Sequence, residues 1–294
     1  MKHLVSTNDL LKKEINLIFD LAKGFKNEEI NSAIDNRILS TFFYEPSTRT
    51  RLSFEAASHR LKMNVLSVSD ANVSSTAKGE TLKDTIKTLS ELSDIIVLRH
   101  YSVGSAKEAA EVSKVPIINA GDGDGEHPTQ ALLDLYTILD KFDNLDNLNI
   151  LFFGDLNHAR TAKSLKNLLN RYTNNKINVL EFDPTFNKNK DDFYEKLSNS
   201  NIIYSVRHQK ERWLDSDIAL VDAFENKIKI GLDELKIIKK DAIIMHPLPR
   251  TEEIDPSIDR DGRVVFFEQV RNGLFIRMAV INYLLEYTYY YNEI

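Results

Sequence analysis

Ten short apolar runs punctuate this 294-residue chain, and segments of helical period separate them. Four lie in the first half, at 37–43 (RILSTFF), 64–68, 94–98 (DIIVL) and 115–118. Six lie in the second, at 148–153 (LNILFF), 177–182, 201–206 (NIIYSV), 218–221, 242–246 (AIIMH) and 263–267. Amphipathic stretches at 79–93, 105–113, 159–171 and 232–240 fall between them. Strands rich in Ile, Val and Leu must be covered on both faces, and the intervening helices supply the cover. The alternation therefore predicts βαβ units with mainly parallel sheets. One barrel or two open sheets would both satisfy it. Residues 128–142 (PTQALLDLYTILDKF) favour two, because they form a strong amphipathic helix, with Pro128 at its start, between the strand sets. The expected fold is α/β with two domains, each a parallel sheet flanked by helices. The first covers 1–142, with a C-terminal helix at about 269–294 packing back on it. The second covers 143–268.

Composition removes several classes of function. There are 44 acidic and 38 basic residues, a formal charge of −6, so no overall basic footprint for nucleic acid exists. The chain has no cysteine, which excludes disulfides, zinc–thiolate sites and thiol nucleophiles. The N-terminal residues lack a signal-peptide core, and no apolar run has the length of a membrane span. The expectation is a cytoplasmic protein that binds neither nucleic acid nor membrane.

Polar clusters follow the apolar runs, and ligands of open parallel sheets bind beyond the carboxyl ends of the strands. Seven such clusters predict a cleft between the two sheets. Residues 44–55 (YEPSTRTRLSFE) open a helix that Ser47 or Thr48 can cap. Arg49 and Arg51 oppose the macrodipole there, which a bound anion would relieve. The plain structural alternative pairs these arginines with Glu45 and Glu55. The small-residue loop NVSSTAKGET (72–81) carries Lys78 and matches no Walker motif; it is either a solvated loop or a lid delivering a cation. Arg99-His100 ends a strand. His127 precedes a helix, where the positive end of the dipole should depress its pKa and leave a neutral donor for a carbonyl oxygen, although a lone His is commonly a structural cap. GDLNHART (154–161) lacks G-x-G-x-x-G, and Asp183 follows no phosphate loop, which disfavours a nicotinamide dehydrogenase. Arg160 and Arg207 stand where each can grip a carboxylate. HPLPR (246–250) offers carbonyls suited to an ammonium or amide NH₂. No nucleophile–base pair, metal cluster or cofactor motif is evident. Direct transfer between two bound substrates, driven by positioning and electrostatics, fits this set.

Taken in order, FFYEPSTRTRLSFE, AKGETLKDT, RH, HPTQALLDLYTI, GDL…RT, RxQKER and HPLPR closely resemble the catalytic chains of the aspartate carbamoyltransferases, from about residue 37 to 285. Ornithine enzymes usually show HPCQ and HCLP in place of HPTQ and HPLP. The resemblance implies transfer of the carbamoyl group from carbamoyl phosphate to L-aspartate, an early step of pyrimidine biosynthesis, with no metal or organic cofactor. It assigns the phosphate to Ser47, Thr48, Arg49 and Thr50, and the carbamoyl oxygen to Thr50, Arg99 and His127. Gln130 would hold the carbamoyl NH₂, and Leu248 and Pro249, with Pro247, would make main-chain contacts. Arg160, Arg207 and Gln209 would bind the aspartate carboxylates. Ser74 and Lys78 would come from a neighbouring subunit of a homotrimer, which a regulatory chain or dihydroorotase can join. The segment between Gln209 and Ile243 is short, His208 sits where the family varies, and the GDGDGEH loop is unusually acidic, so allosteric behaviour is not carried over. A carbamoyltransferase for another amine and a silent scaffold homologue are the alternatives; Arg160, Arg207 and HPLP argue against a cationic acceptor.

Overall fold

The structure, a computed structural model, describes residues 1–31, 33–69, 78–142, 145, 147–172, 177–183, 189–209 and 228–291, the side chains of residues 177 and 287–291 excepted. The chain divides into two units: Met1–Tyr136 with Arg271–Ile294, and Thr137–Val270.

Unit 1 begins with an amphipathic helix α1 (Lys12–Lys26), which the apolar-run analysis above does not include. Then β1 (Ile38–Phe43), α2 (Thr48–Arg60), β2 (Asn64–Val68), α3 (Leu82–Leu92), β3 (Ile95–His100), α4 (Ser105–Val112) and β4 (Ile117–Asp122) alternate. Its sheet is parallel, in the order β2-β1-β3-β4. The inner strand β3 is buried along its whole length, whereas the edge strand β2 is largely exposed. Helices cover the inner strands on both faces, which accounts for their unbroken apolar reading.

Helix α5 (Pro128–Lys141) starts in unit 1 and ends in unit 2. Unit 2 continues with β5 (Leu148–Gly154), α6 (Arg160–Tyr172), β6 (Ile177–Phe182), α7 (Lys190–Asn199), β7 (Ile202–Val206), α8 (Leu232–Ile237) and β8 (Ile243–Met245). Its parallel sheet runs β6-β5-β7-β8 around an aromatic core of Phe153, Phe182 and Phe193. Helix α9 (Phe266–Tyr291) begins in unit 2 and ends in unit 1, where Tyr283 Oη donates to the buried Glu14 carboxylate at 2.6 Å.

Eight of the ten apolar runs are strands. The run at 218–221 lies outside the described residues. The run at 263–267 is not a strand: Val264 forms a single bridge to Ile244, and Phe266 already opens α9. The Val265 carbonyl accepts from Gln269 N–H at 2.8 Å, so this run is a helix entry. A short apolar run cannot separate the two states by periodicity.

In each unit the chain places its second strand on one side of the first and its third on the other. This creates a switch point between β1 and β3, and another between β5 and β7. Ligand crevices form at such points.

Candidate active site

The unit 1 switch point is built by the ends of β1 and β3. Phe43 pairs with Arg99 across the two strands, and Tyr44 N–H donates to the Arg99 carbonyl at 2.8 Å. The Arg99 side chain is buried. Its Nη2 lies 2.7 Å from Glu45 Oε2, and its Nη1 donates to the Ala120 carbonyl at 3.1 Å. One guanidinium therefore links the segments after β1 and β3 to β4. Glu45 is thus a partner of the strand-end Arg99. His100 stacks against Tyr44 and Tyr101, its Nδ1 accepts from Ser102 N–H at 2.9 Å, and burial lowers its pKa; its role is structural.

Ser47, in extended conformation, is the N-cap residue of α2, but its side chain makes no capping hydrogen bond, and Thr48 is the first helical residue. The side-chain cap expected from the sequence is not formed. The first turn holds no acidic residue. Thr48 and Arg49 are exposed, and Thr50 is buried. Arg51 pairs with Glu55 at 2.8 Å, as the structural alternative expects for that arginine. A helix N-terminus without a side-chain cap, beside a cation, is suited to an oxyanion.

His127 immediately precedes α5 and is buried; its carbonyl accepts from the N–H groups of Gln130 and Ala131 at 3.0 and 3.1 Å. The loop before it is braced. Asp122 Oδ1 accepts from Glu126 N–H at 2.9 Å, its Oδ2 accepts from Gly104 N–H, and Glu126 accepts from the hydroxyls of Ser6 and Thr7. Two of the three acids of GDGDGEH, Asp122 and Glu126, thus brace the loop internally. Gln130, one turn into α5, donates from Nε2 to Asp134 Oδ1 at 3.0 Å. Lys78 is exposed at the start of the segment leading to α3, and Ser74 lies outside the described residues.

In unit 2 the residues after β5, β7 and β8 follow three neighbouring strands. Gly154 ends β5 at φ +120°, and a Cβ there would stand 2.0 Å from the Val206 carbonyl oxygen, so only glycine allows β5 and β7 to approach this closely. The fully buried Asp155 follows it. Its carboxylate contacts His158 Nδ1 at 2.9 Å and accepts from Gln209 N–H at 3.1 Å, while Gln209 Nε2 donates to the His158 carbonyl at 2.6 Å. These bonds bring the turn before Arg160, the first residue of α6, together with Arg207-His208-Gln209. Arg207 Nη1 donates to the His208 carbonyl. Asp183 accepts from Leu156 N–H at 3.2 Å and so supports the same turn.

After β8, the buried His246 organises the HPLPR loop. Its Nδ1 accepts from Leu248 N–H at 2.8 Å and its Nε2 lies 2.9 Å from Glu253 Oε1, which makes Nε2 the protonated nitrogen. Glu253 also accepts from the N–H and hydroxyl of Thr251. Burial pushes its carboxyl up, but the bonds from His246 and Thr251 prevail and hold it at about 2. Leu248 sits at φ +56° before a cis bond to Pro249. A leucine keeps that left-handed conformation only where its surroundings enforce it. Arg250 forms a bidentate pair with Asp259 over the Phe266 ring, a structural use.

Unit 1 thus groups Ser47, Thr48, Arg49, Thr50 and Arg99 around one switch point, with His127 and Gln130 beyond the adjacent β4. Unit 2 groups Arg160, Arg207 and Gln209, with Leu248 and Pro249 in the loop that follows β8. Sequence reasoning passed over the supporting residues Asp155, His246, Glu253 and Asp134. Each lies in or beside a quoted motif, but a buried carboxylate on the chain reads the same as a solvated one. Among the described residues no cluster of His, Cys, Asp and Glu could hold a metal ion.

Residues 2–140 match the aspartate/ornithine carbamoyltransferase carbamoyl-P binding domain, and residues 146–284 match the Asp/Orn binding domain of the same family. Among named relatives, the aspartate carbamoyltransferase catalytic subunit of Picrophilus torridus is 43% identical, over 96% of this chain and 97% of that protein. The chloroplastic aspartate carbamoyltransferase of Arabidopsis thaliana is also 43% identical, over 93% of this chain and 75% of that protein. Among solved structures, the catalytic subunit of M. jannaschii aspartate transcarbamoylase superposes with a TM-score of 0.85 at 40% identity, covering 97% of this chain and 98% of that one. The Trypanosoma cruzi aspartate transcarbamoylase in complex with N-(phosphonacetyl)-L-aspartic acid gives a TM-score of 0.85 at 33% identity, covering 95% and 94%. Two parallel α/β units, matched in order over nearly their whole length, leave one assignment: the chain belongs to the aspartate/ornithine carbamoyltransferase family.

Proposed function

We propose that this chain transfers the carbamoyl group of carbamoyl phosphate to the amino group of L-aspartate, giving N-carbamoyl-L-aspartate and phosphate, an early step of pyrimidine biosynthesis. The observation that carries the reading is the buried Arg99 guanidinium, fixed by Glu45 and the Ala120 carbonyl at a sheet switch point beside the N-terminus of α2. A fixed cation beside a helix N-terminus that no side chain caps suits a substrate whose phosphate and carbonyl lie next to each other. The α2 N-terminus, with Ser47, Thr48, Arg49 and Thr50, holds the phosphate. Thr50, Arg99 and His127 donate to the carbamoyl oxygen, whose negative charge grows as the amine attacks. The Gln130 carboxamide oxygen accepts from the carbamoyl NH₂, and carbonyls of Leu248 and Pro249, with Pro247, make main-chain contacts. Arg160, Arg207 and Gln209 bind the aspartate carboxylates. A carbon–nitrogen bond forms, the carbon–oxygen bond to phosphate breaks, and the amine proton leaves with the phosphate. All these groups act by positioning and charge stabilisation.

Both substrates are anionic, so a further cation offsets their repulsion. Lys78, with Ser74, is assigned to the site of a neighbouring subunit in a homotrimer. We place the enzyme in the cytoplasm, and a regulatory chain or dihydroorotase as an additional partner. No helix among the described residues is long and apolar enough to cross a membrane. A colorimetric assay for carbamoyl product, run in parallel with aspartate and ornithine, tests the substrate. Product with ornithine and none with aspartate overturns the reading. Mixed trimers of Lys78→Ala and His127→Ala chains test the shared site: activity should return in part, and hybrids that form but stay inactive return Lys78 to its own chain.

A further inference from the structure

We propose that Asp134 and Arg277 are positioning residues that set the orientation of the Gln130 carboxamide, and so make the site discriminate an amino group from a methyl group on the acyl phosphate. The inference rests on the proposed contact between Gln130 and the carbamoyl NH₂.

A carboxamide presents a donor on one side and an acceptor on the other, in nearly the same shape. Something must choose which side faces the ligand. Gln130 and Asp134 are one turn apart on α5, both buried, with Nε2 donating to Oδ1 at 3.0 Å. An ionised carboxylate only accepts. It commits the Gln130 NH₂ to the protein and turns Oε1 away from it, the orientation that accepts from an amino group.

That choice holds only while Asp134 is charged, and a fully buried carboxylate needs a counter-charge. The buried guanidinium of Arg277 on α9, whose Nη1 and Leu133 of α5 both border the space above Gly273, is the nearby cation. Burial lowers its pKa to about 10, the Asp134 charge opposes the fall, and the guanidinium stays cationic at neutral pH. Its Nη1 donates to Ser53 Oγ at 3.1 Å, and its guanidinium carbon lies 5.2 Å from the Phe54 ring centre. Both contacts are on α2, the helix whose first turn carries Arg49 and Thr50. Helical side chains lean toward the N-terminus, and here Arg277 folds back over Gly273. A Cβ on Gly273 would stand 2.5 Å from Arg277 Nη1 and 3.0 Å from Leu133 Cδ2, so the missing side chain is the space the guanidinium occupies. The charged pair is thereby tied to the phosphate helix and to the residue that meets the amino group.

The test compares the affinity of the intact protein for carbamoyl phosphate and for acetyl phosphate, which carries a methyl group in place of the NH₂. The variants are Gln130→Ala, Asp134→Asn and the double Asp134→Leu with Arg277→Met. In Asp134→Asn the new amide can offer Gln130 either its oxygen or its NH₂, so the fixed orientation of Gln130 is lost. All three variants should cut the preference for carbamoyl phosphate about tenfold and keep the acetyl phosphate affinity within about twofold. The double variant removes both buried charges, so it carries the test if Asp134→Asn does not fold. An unchanged preference in Gln130→Ala overturns the underlying contact. A preference lost in Gln130→Ala but kept in Asp134→Asn and the double variant overturns the positioning role alone. Equal weakening of both ligands also overturns it, because a purely structural role would act on both.

Discussion

The residues proposed to meet substrate in unit 1 and in unit 2 are held in opposite ways. In unit 1 most are on regular elements: Arg99 on a buried strand, Thr48, Arg49 and Thr50 in the first turn of α2, Gln130 in the first turn of α5. Among the bonds that hold them, Arg99 uses Glu45 and the Ala120 carbonyl, and Gln130 uses Asp134. In unit 2, Arg207, Gln209, Leu248 and Pro249 are on loops, and buried hubs tie these loops together. Asp155 joins the turn before Arg160 to Gln209, and His246 with Glu253 fixes the HPLPR loop. A side chain on an element inherits its position from backbone bonds, whereas one on a loop needs a dedicated network. Damage should therefore appear as lost chemistry in unit 1 and as lost order in unit 2.

His127→Ala gives the largest expected effect on the unit 1 side. A donor to a developing oxyanion is worth about 2.7–4 kcal/mol, so kcat should fall on the order of 10²–10³-fold with unchanged thermal stability. An effect confined to KM would make His127 a uniform binding residue and blur the contrast.

Glu253→Gln probes the unit 2 hub, and its signature is in stability. The native carboxyl is held at about 2, below its ordinary 4.5, so its stabilisation is present above about 4.5 and is lost as pH falls toward 2. That difference corresponds to on the order of 3 kcal/mol. Denaturant midpoints at one protein concentration should show Glu253→Gln less stable at pH 7 and less acid-sensitive between pH 4.5 and 2. Parallel acid profiles for the two proteins would remove Glu253 as the hub.

Arg49→Ala and Arg51→Ala sharpen the comparison within one helix turn. Loss of a charge-assisted contact to phosphate costs about 1.5–3 kcal/mol, so Arg49→Ala should weaken carbamoyl phosphate binding roughly 10- to 150-fold without unfolding the protein. Near-normal kinetics there would discard the phosphate assignment. Arg51 is instead in an i,i+4 pair with Glu55, and its removal should change stability by about 0.3–0.5 kcal/mol and leave binding unaltered. A large kinetic effect of Arg51→Ala would mean that the anion site extends beyond Arg49.

Alternating apolar runs and helical stretches were enough to read two sets of parallel strands, because strand and helix periods are local properties of the chain. Residue chemistry singled out Arg99, His127, Arg160 and Arg207 as candidates, because a cation or a donor at a strand end or helix start suits an anionic or carbonyl ligand, whereas Gln130 entered through the resemblance. Helices α1 and α7 were passed over, and 263–267 was read as a strand, because short amphipathic or apolar segments take their state from what they pack against. The order β2-β1-β3-β4 and its counterpart in unit 2 came only from tertiary structure, since the sequence of strands along the chain does not state which are neighbours. The same holds for the acids. Glu45, four residues before Arg49 on the chain, pairs with Arg99 at the end of β3, and the Asp134 charge acts on an arginine 143 positions later. Which carboxylate is solvated, which is a brace and which orients a ligand-facing amide depends on burial and on partners far along the chain, and only folding brings those together.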